Sequence, residues 1–330
     1  MLRFIVLRVL RAVLTLWLIS VVTFGMFFLL PTNPASALCG KSCSVERIEA
    51  TKHSFGLDRP KYQQYADYMK GLFVDRQLTE GASGRKFCEA PCFGFSYTRN
   101  QMVSEALADT YPVTLSLVVP AFIIYVLFGL VLGVTSALRR GSPYDKFAIG
   151  FSLTGASMQI YSVGLLLMTL FVFTLKIAPA PHYTPFTDNP LAWAGGLWIG
   201  WLALAFINLA VYARLSRAQM LETLSEDFVR TARAKGLDKG RVYVKHALRA
   251  AVTPIVTLAG LEIGGLLGGA VITETTTSVY GVGSLAVEAI RQGDLSIIMA
   301  TVLIASVFVV AFVVIVDLLY VVIDPRVKLT

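Results

Sequence analysis

The sequence predicts an all-α polytopic membrane protein, and three observations carry that expectation. Only 15% of the 330 residues are charged, 55% are hydrophobic and mean hydropathy is +0.67. Soluble domains carry roughly 25% charged residues. Six apolar segments, at 12–30, 112–138, 147–175, 191–213, 255–273 and 295–323, have the length of about 20 residues that crosses a ~30 Å hydrocarbon core. Nothing in the chain repeats the alternation, about ten residues per strand, of an outer-membrane barrel. A lipid-exposed backbone must satisfy its own hydrogen bonds, and helices do so within one segment.

Each element follows from local composition. The first segment lies after Arg3, Arg8 and Arg11 and before Ala35-Ser36-Ala37, so it imitates a signal peptide with an A-x-A cleavage site. Its apolar run of 19 residues exceeds the roughly 7–15 of a signal core, so an uncleaved span is expected. Residues 31–111 form a large loop, and residues 112–330 form a core of five spans interrupted by a polar connector at 214–253. The segments 1–11, 139–146, 214–253 and 324–330 hold seventeen Lys and Arg, nine of them in the connector. The short loops on the other side hold only Lys176 and Arg291. That asymmetry places both termini and the connector in the cytoplasm, and the long loop outside. The formal charge of +8 is thus chiefly a topology signal, and no basic soluble domain exists to bind nucleic acid.

Few residues offer chemistry. Ala35 to Ser42 fits a relaxed phosphate-loop pattern, but a proline and a membrane helix precede it instead of a buried strand. His53, His182 and His246 are scattered, with no partner at ligand spacing. The outer loop carries two pairs, Cys39-x3-Cys43 and Cys88-x3-Cys92. Four thiolates can hold a metal or cluster, while an oxidising compartment favours disulfides, which are the expectation here. Local bridges would contribute roughly 2 kcal/mol and bridges between the pairs roughly 4. By that stability argument a ladder from Cys39 to Cys88 or Cys92 would staple the loop.

Glu262 lies inside the fifth apolar segment, where a carboxylate costs about 3 kcal/mol on insertion scales and faces a cavity or partner. Around it Gly260, Gly264, Gly265, Gly268 and Gly269 make overlapping G-x-x-x-G pairs, which let helices approach closely in lipid. Glu262, Gly264 and Gly268 either line a pathway or serve tight packing with Glu262 hydrogen-bonded; both remain open.

The connector is the most specific feature. Arg230-Thr231-Ala232-Arg233-Ala234-Lys235-Gly236-Leu237, followed by His246-Ala247-Leu248-Arg249 and Pro254, resembles the coupling ("EAA") loop of binding-protein-dependent ABC importer permeases of the dipeptide/oligopeptide/nickel group. Other pieces agree in order along nearly the whole chain: Pro31-Thr32-Asn33-Pro34-Ala35, Phe55-Gly56-Leu57-Asp58-Arg59-Pro60, Gly94-Phe95-Ser96-Tyr97, Val113-Thr114-Leu115, Glu274-Thr275, Gly281-Val282-Gly283, and the tail from Leu318 to Arg326. The departures are Arg230 for the general motif's Glu, Ala250 for Asn, Thr253 for Leu, Tyr280 for Pro and Glu262 for a neutral amide residue. The segment around 77–91 is an addition to the pattern, which suggests a lip for docking the binding protein.

The resemblance implies a type I ABC importer permease fold with six transmembrane helices in a bacterial plasma membrane. It implies a second homologous permease, two cytoplasmic ATPase subunits that bind ATP and Mg, an extracytoplasmic substrate-binding (lipo)protein, and a di- or oligopeptide substrate. Nickel chelates, glutathione and oligosaccharides are alternatives within the family. The chain itself would hold no cofactor or metal and would be no enzyme. A self-contained secondary transporter is the rival of another class, but it would show inverted repeats and broken helices with ion ligands.

Overall fold

The computed structural model describes residues 2–29, 59–80, 84–96 and 98–323. Helix α1 (Leu2–Leu29) is followed by α2 (Lys61–Gly71) and an antiparallel hairpin, β1 (Arg76–Glu80) with β2 (Gly84–Cys88). A short ladder, β3 (Phe95–Ser96) with β4 (Gln101–Met102), leads into α3 (Val103–Leu138). Then come α4 (Pro143–Ser157), α5 (Ile160–Met168), α6 (Pro190–Ser225) and the short α7 (Asp227–Ala234). The remainder is α8 (Thr253–Leu267), α9 (Val271–Thr277), α10 (Val282–Gln292) and α11 (Leu295–Ile323).

Helix starts follow local chemistry. Ser142 accepts the Asp145 amide with Pro143 in the first turn of α4, and Asn189 accepts the Leu191 and Ala192 amides with Pro190 opening α6. Proline there loses no intrahelical bond, because the first amides have no partner in the helix. Helix α10 stops at Gly293, whose φ of +71° suits the left-handed turn that ends helices.

Among the described residues, α1, α3, α6 and α11 are unbroken and apolar enough to span, and two further spans arise only if each of two bent helix pairs counts as one. The expected third span, 147–175, is broken. Helices α4 and α5 meet at 101°, with Met158 in extended conformation between them. No proline or charge lies at that break, so hydropathy gave no warning. The expected fifth span, 255–273, also ends early, at Leu267. Gly269 takes a φ of +131°, open to residues without a Cβ, and a Cβ placed there would lie 2.8 Å from the Gly283 backbone.

The bundle centres on α3 against α6, which pack at backbone range. A Cβ on Gly133 would lie 2.4 Å from the Ala213 carbonyl oxygen. Trp201 Nε1 donates to the Ser116 carbonyl at 2.8 Å across the same interface. At one end of it, Asp145 is buried and joins three helices. Its carboxylate accepts from Ser136 Oγ (2.5 Å), the Gly141 amide (2.9 Å), and Arg217 Nε and Nη2 (2.7 and 3.0 Å). Arg8 on α1 meets Asp317 on α11 at 2.8 Å, so the helices nearest the two chain ends are tied together.

Removing one partner of a buried ion pair strands the other charge and costs about 3 kcal/mol or more. Asp145→Ala is therefore expected to lower stability by about 3 kcal/mol in a reversible denaturing-detergent titration. An unchanged midpoint would show that this pair does not hold α4 to α6.

Candidate functional site

The basic connector folds into a small amphipathic unit. Val229 and Ala232 of α7 are buried in a cluster with Ala137, Met220, Val242, Ala247 and Ala251, so α7 is fixed to the ends of α3 and α6. Arg230, Thr231, Arg233, Ala234, Lys235 and Leu237 are exposed. Arg233 lies over the Tyr243 ring at 5.9 Å, and Arg230 makes only a 3.7 Å solvent-exposed pair with Asp227. Ala232 is thus not available as part of a docking surface; it anchors the helix from below. Gly236 has a second reason to be glycine besides small size. Its φ is +72°, and its amide and that of Leu237 close onto the Arg233 and Ala232 carbonyls, a C-cap that favours glycine. Nothing lies within 4 Å of where its Cβ would point. The chain then passes through a π-helical stretch, Val242–Leu248, and a short turn of helix, Arg249–Ala251, and bends by 46° into α8.

Three motifs distant in sequence meet behind α8. Glu274 is fully buried and saturated. Its Oε1 accepts from Thr114 Oγ1 (2.9 Å) and the Ala270 amide (3.2 Å), and its Oε2 accepts from the Ser284 amide (2.8 Å). Thr114 Oγ1 in turn accepts the Val282 amide at 2.8 Å. A Cβ on Gly281 would lie 2.5 Å from Thr114 Oγ1, so only glycine lets this turn close. Sequence reasoning quoted these residues as pieces of a resemblance and assigned Glu274 no role. Its signal was a single acid between an apolar segment and a glycine-rich turn.

Gly264 of α8 and Gly268 at its end face α11. A Cβ on Gly264 would lie 2.9 Å from Val309 Cα, and one on Gly268 would lie 2.5 Å from Ala305 Cβ, both on α11. They pack the last helix. Glu262 accepts the Tyr212 hydroxyl at 2.6 Å, and the Tyr125 and Tyr212 rings lie 5.2 Å apart beside it. The structure therefore seats this carboxylate in a hydrogen bond within the subunit. The face of α8 left uncovered is a different one, Pro254, Leu258, Leu261 and Gly265.

At the opposite end of the bundle, Arg76 braces the loop structure. Its guanidinium donates to Cys92 Sγ (3.1 Å) and the Asp67 carbonyl (3.2 Å) and lies over Tyr68, 6.0 Å from the ring centre. Burial pushes the Tyr68 hydroxyl up to about 12, against the pull of Arg76. Cys88 is bonded to Cys92. The ladder from Cys39 to either of them is therefore not formed, and a four-thiolate metal site is excluded because two thiolates are spent on each other. The hairpin explains the local choice, since β2 ends at Cys88 and a tight turn returns Cys92 to α2, where its amide meets the Gly71 carbonyl at 3.0 Å. Cys39 and Cys43 lie outside the described residues. Among those described, no three His, Cys, Asp or Glu side chains gather as metal ligands.

The loop is also pinned to the helices. Ser96 Oγ and Thr98 Oγ1 donate to Asp294 at 2.5 and 2.6 Å, just before α11. Arg99 reaches Glu288 at 2.5 Å and the Tyr280 hydroxyl, and Tyr280 donates to Glu288 as well. Tyr280, which stands where the resemblance expects proline, is thus one corner of a charged triangle.

Two family models match the chain. Residues 1–118 match the N-terminal membrane component of binding-protein-dependent transport systems, and residues 129–329 match the binding-protein-dependent transport system inner membrane component. The chain is 35% identical over 349 residues to the di/tripeptide transport system permease protein of Pseudomonas aeruginosa (strain UCBPP-PA14), covering 99% of both chains. It is 34% identical over 352 residues to the dipeptide transport system permease protein of Escherichia coli (strain K12), again covering 99% of both. The chain belongs to the family of binding-protein-dependent transport system inner membrane components. It is a transport permease subunit and a multi-pass protein of the bacterial inner membrane.

The Tyr280 hydrogen bond, helped by Arg99, holds the Glu288 carboxyl below its ordinary 4.5. A group held low in the fold stabilises it above the ordinary value and stops doing so as pH falls through the lowered one. Hydrogen exchange of the amides around Arg99, referred to the intrinsic rate at each pH, is therefore expected to stay slow above pH 4.5 and to rise as pH falls through the lowered value. In Glu288→Gln it should be fast at every pH. A pH-independent wild-type rate would rule the triangle out as the clamp.

Proposed function

We propose that this chain is the membrane subunit of an ATP-driven importer of di- or oligopeptides and forms half of the translocation pathway. A second, homologous permease supplies the other half, an extracytoplasmic binding (lipo)protein delivers substrate, and two cytoplasmic ATPase subunits bind ATP and Mg. The observation that carries the reading is α7, a basic helix whose apolar side is locked into the bundle while its charged side is left open. The peptide assignment rests on the printed activity of relatives that match end to end.

The geometry supports a coupling mechanism. Arg230, Arg233 and Lys235 can pair with carboxylates around a groove on an ATPase subunit, which fixes register more than affinity. Ala234 and Gly236 give that subunit close access, and Thr231 and Leu237 complete the exposed surface. Because Val229 and Ala232 bind α7 to the same cluster as Val242, Ala247 and Ala251, the unit moves as one piece. The helical stretch from Val242 continues into α8, so displacement of α7 swings the base of α8. The open face of Leu258, Leu261 and Gly265 then serves as this subunit's contribution to the pathway. Glu262, Gly264 and Gly268 act behind that face, setting how α8 sits on α6 and α11. The loop carrying Arg76 and the Cys88–Cys92 bond forms a lip toward the binding protein.

Isolation of the tagged chain in mild detergent, followed by mass spectrometry, is expected to recover a second permease, two ATPases and a binding lipoprotein whose ligand names the substrate. Recovery of the chain alone would contradict the proposal. Gly236→Glu adds an acid to the basic surface and forces a side chain into a left-handed conformation at a cost of roughly 1 kcal/mol. It should insert normally and abolish uptake, whereas normal uptake would remove α7 from the coupling role. Leu261→Trp should assemble with its partners but transport poorly; full transport would exclude that face from the pathway.

A further inference from the structure

Helix α1 lies against α11 without filling the space between them. A groove of about 510 Å³ runs between the two, lined on one wall by Ala12, Thr15 and Ile19 and on the other by Val309, Val310 and Val313. Its apolar stretch ends at three charged residues, Arg8, Arg11 and Asp317. From Arg8 to Ile19 the groove follows α1 for about 16 Å at 1.5 Å per residue. That is about the depth of one leaflet of a ~30 Å hydrocarbon core.

The charges at the mouth are not equivalent. Asp317 Oδ1 is neutralised by Arg8 at 2.8 Å, so the carboxylate presents no net repulsion to an anion. Arg11 is exposed beside that pair, and it leaves the mouth net positive. Asp317 Oδ2 is buried and has no hydrogen-bond partner among the described residues. A buried acceptor left unpaired costs free energy until a donor reaches it. The site thus offers a phosphate partner, an acceptor for a hydroxyl and an apolar channel one leaflet deep.

We propose that this groove binds an anionic phospholipid with a hydroxylated headgroup, of the phosphatidylglycerol type. It comes from the leaflet on the arginine side, which the Lys and Arg asymmetry marks as cytoplasmic. Arg11 holds the phosphate, a headgroup hydroxyl donates to Asp317 Oδ2, and one acyl chain lies between Ala12 and Val313 toward Ile19. A lipid seated there completes the contact between the first and last helices, which otherwise meet beside an open channel. Because Gly264 and Gly268 of α8 pack on α11 from another side, the lipid buttresses the helix that supports α8.

Native mass spectrometry of the full chain, isolated from membranes with its accompanying subunits and exposed to phosphatidylglycerol or phosphatidylcholine vesicles, tests the proposal. Wild type is expected to retain phosphatidylglycerol in preference to phosphatidylcholine. A basic residue at a membrane surface contributes enough for Arg11→Gln to lower that retention about fivefold. Ala12→Trp, which fills the channel and leaves both arginines in place, should lower retention of the lipid as well. Equal retention of the two lipids, or no change in either variant, would overturn the proposal. A photo-crosslinker at Thr15 should capture lipid; capture of a helix from another subunit would also overturn it, by giving the groove a different occupant.

Discussion

Hydrocarbon gives apolar helices no hydrophobic reason to associate, so a bundle in lipid holds together only as far as its backbones can approach one another. In this chain that constraint decides which residue faces where. Gly133 brings α3 against the Ala213 backbone of α6, while Gly264 and Gly268 bring α8 against α11. With one side of α8 committed to α11 and Glu262 committed to Tyr212, only the Leu258, Leu261 and Gly265 side is open. The face proposed for the pathway is therefore the one that close packing leaves uncovered.

Irregular backbone at membrane depth is tolerated only when protein satisfies it, and buried carboxylates do that here. Glu274 gathers the Ala270 and Ser284 amides and the Thr114 hydroxyl across the broken end of α8. Asp145 takes the Gly141 amide where α3 turns into α4, and Asp294 takes the Ser96 and Thr98 hydroxyls where the loop meets α11. Each acid sits at a chain reversal and joins segments far apart in sequence. In the proposed coupling, such a frame would pass a push on α7 to α8 as displacement, because few of its groups are free to yield.

The helical class, the long unbroken spans and the exposed basic helix were legible because hydropathy, charge asymmetry and a motif report directly on them. The breaks were not. Met158 interrupts an apolar run without proline or charge, and Gly269 looks like one more small residue until its φ is known. Facing was the hardest property to read. Glycines at four-residue spacing signal close packing, but the sequence does not say whether the partner is α11 or another subunit, and Ala232 looked as available as Ala234. The cysteine ladder failed for a related reason. Chain entropy favours the longer loop, but the hairpin from Arg76 to Cys88 brings Cys92 back beside Cys88. Of the candidate site, the exposure of Arg230, Arg233 and Lys235 on a basic helix was readable, while the packing of Gly264 and Gly268 against α11 was not.

The central claim is that this subunit imports substrate by mechanical coupling to ATP hydrolysis in its partners. The most direct test is peptide uptake by proteoliposomes holding the complete purified complex, with binding protein on one side and ATP supplied to the other. The account predicts uptake that requires both ATP and the binding protein, and that is unaffected by collapsing ion gradients. Uptake by this chain alone, driven by an ion gradient without ATP, would contradict it.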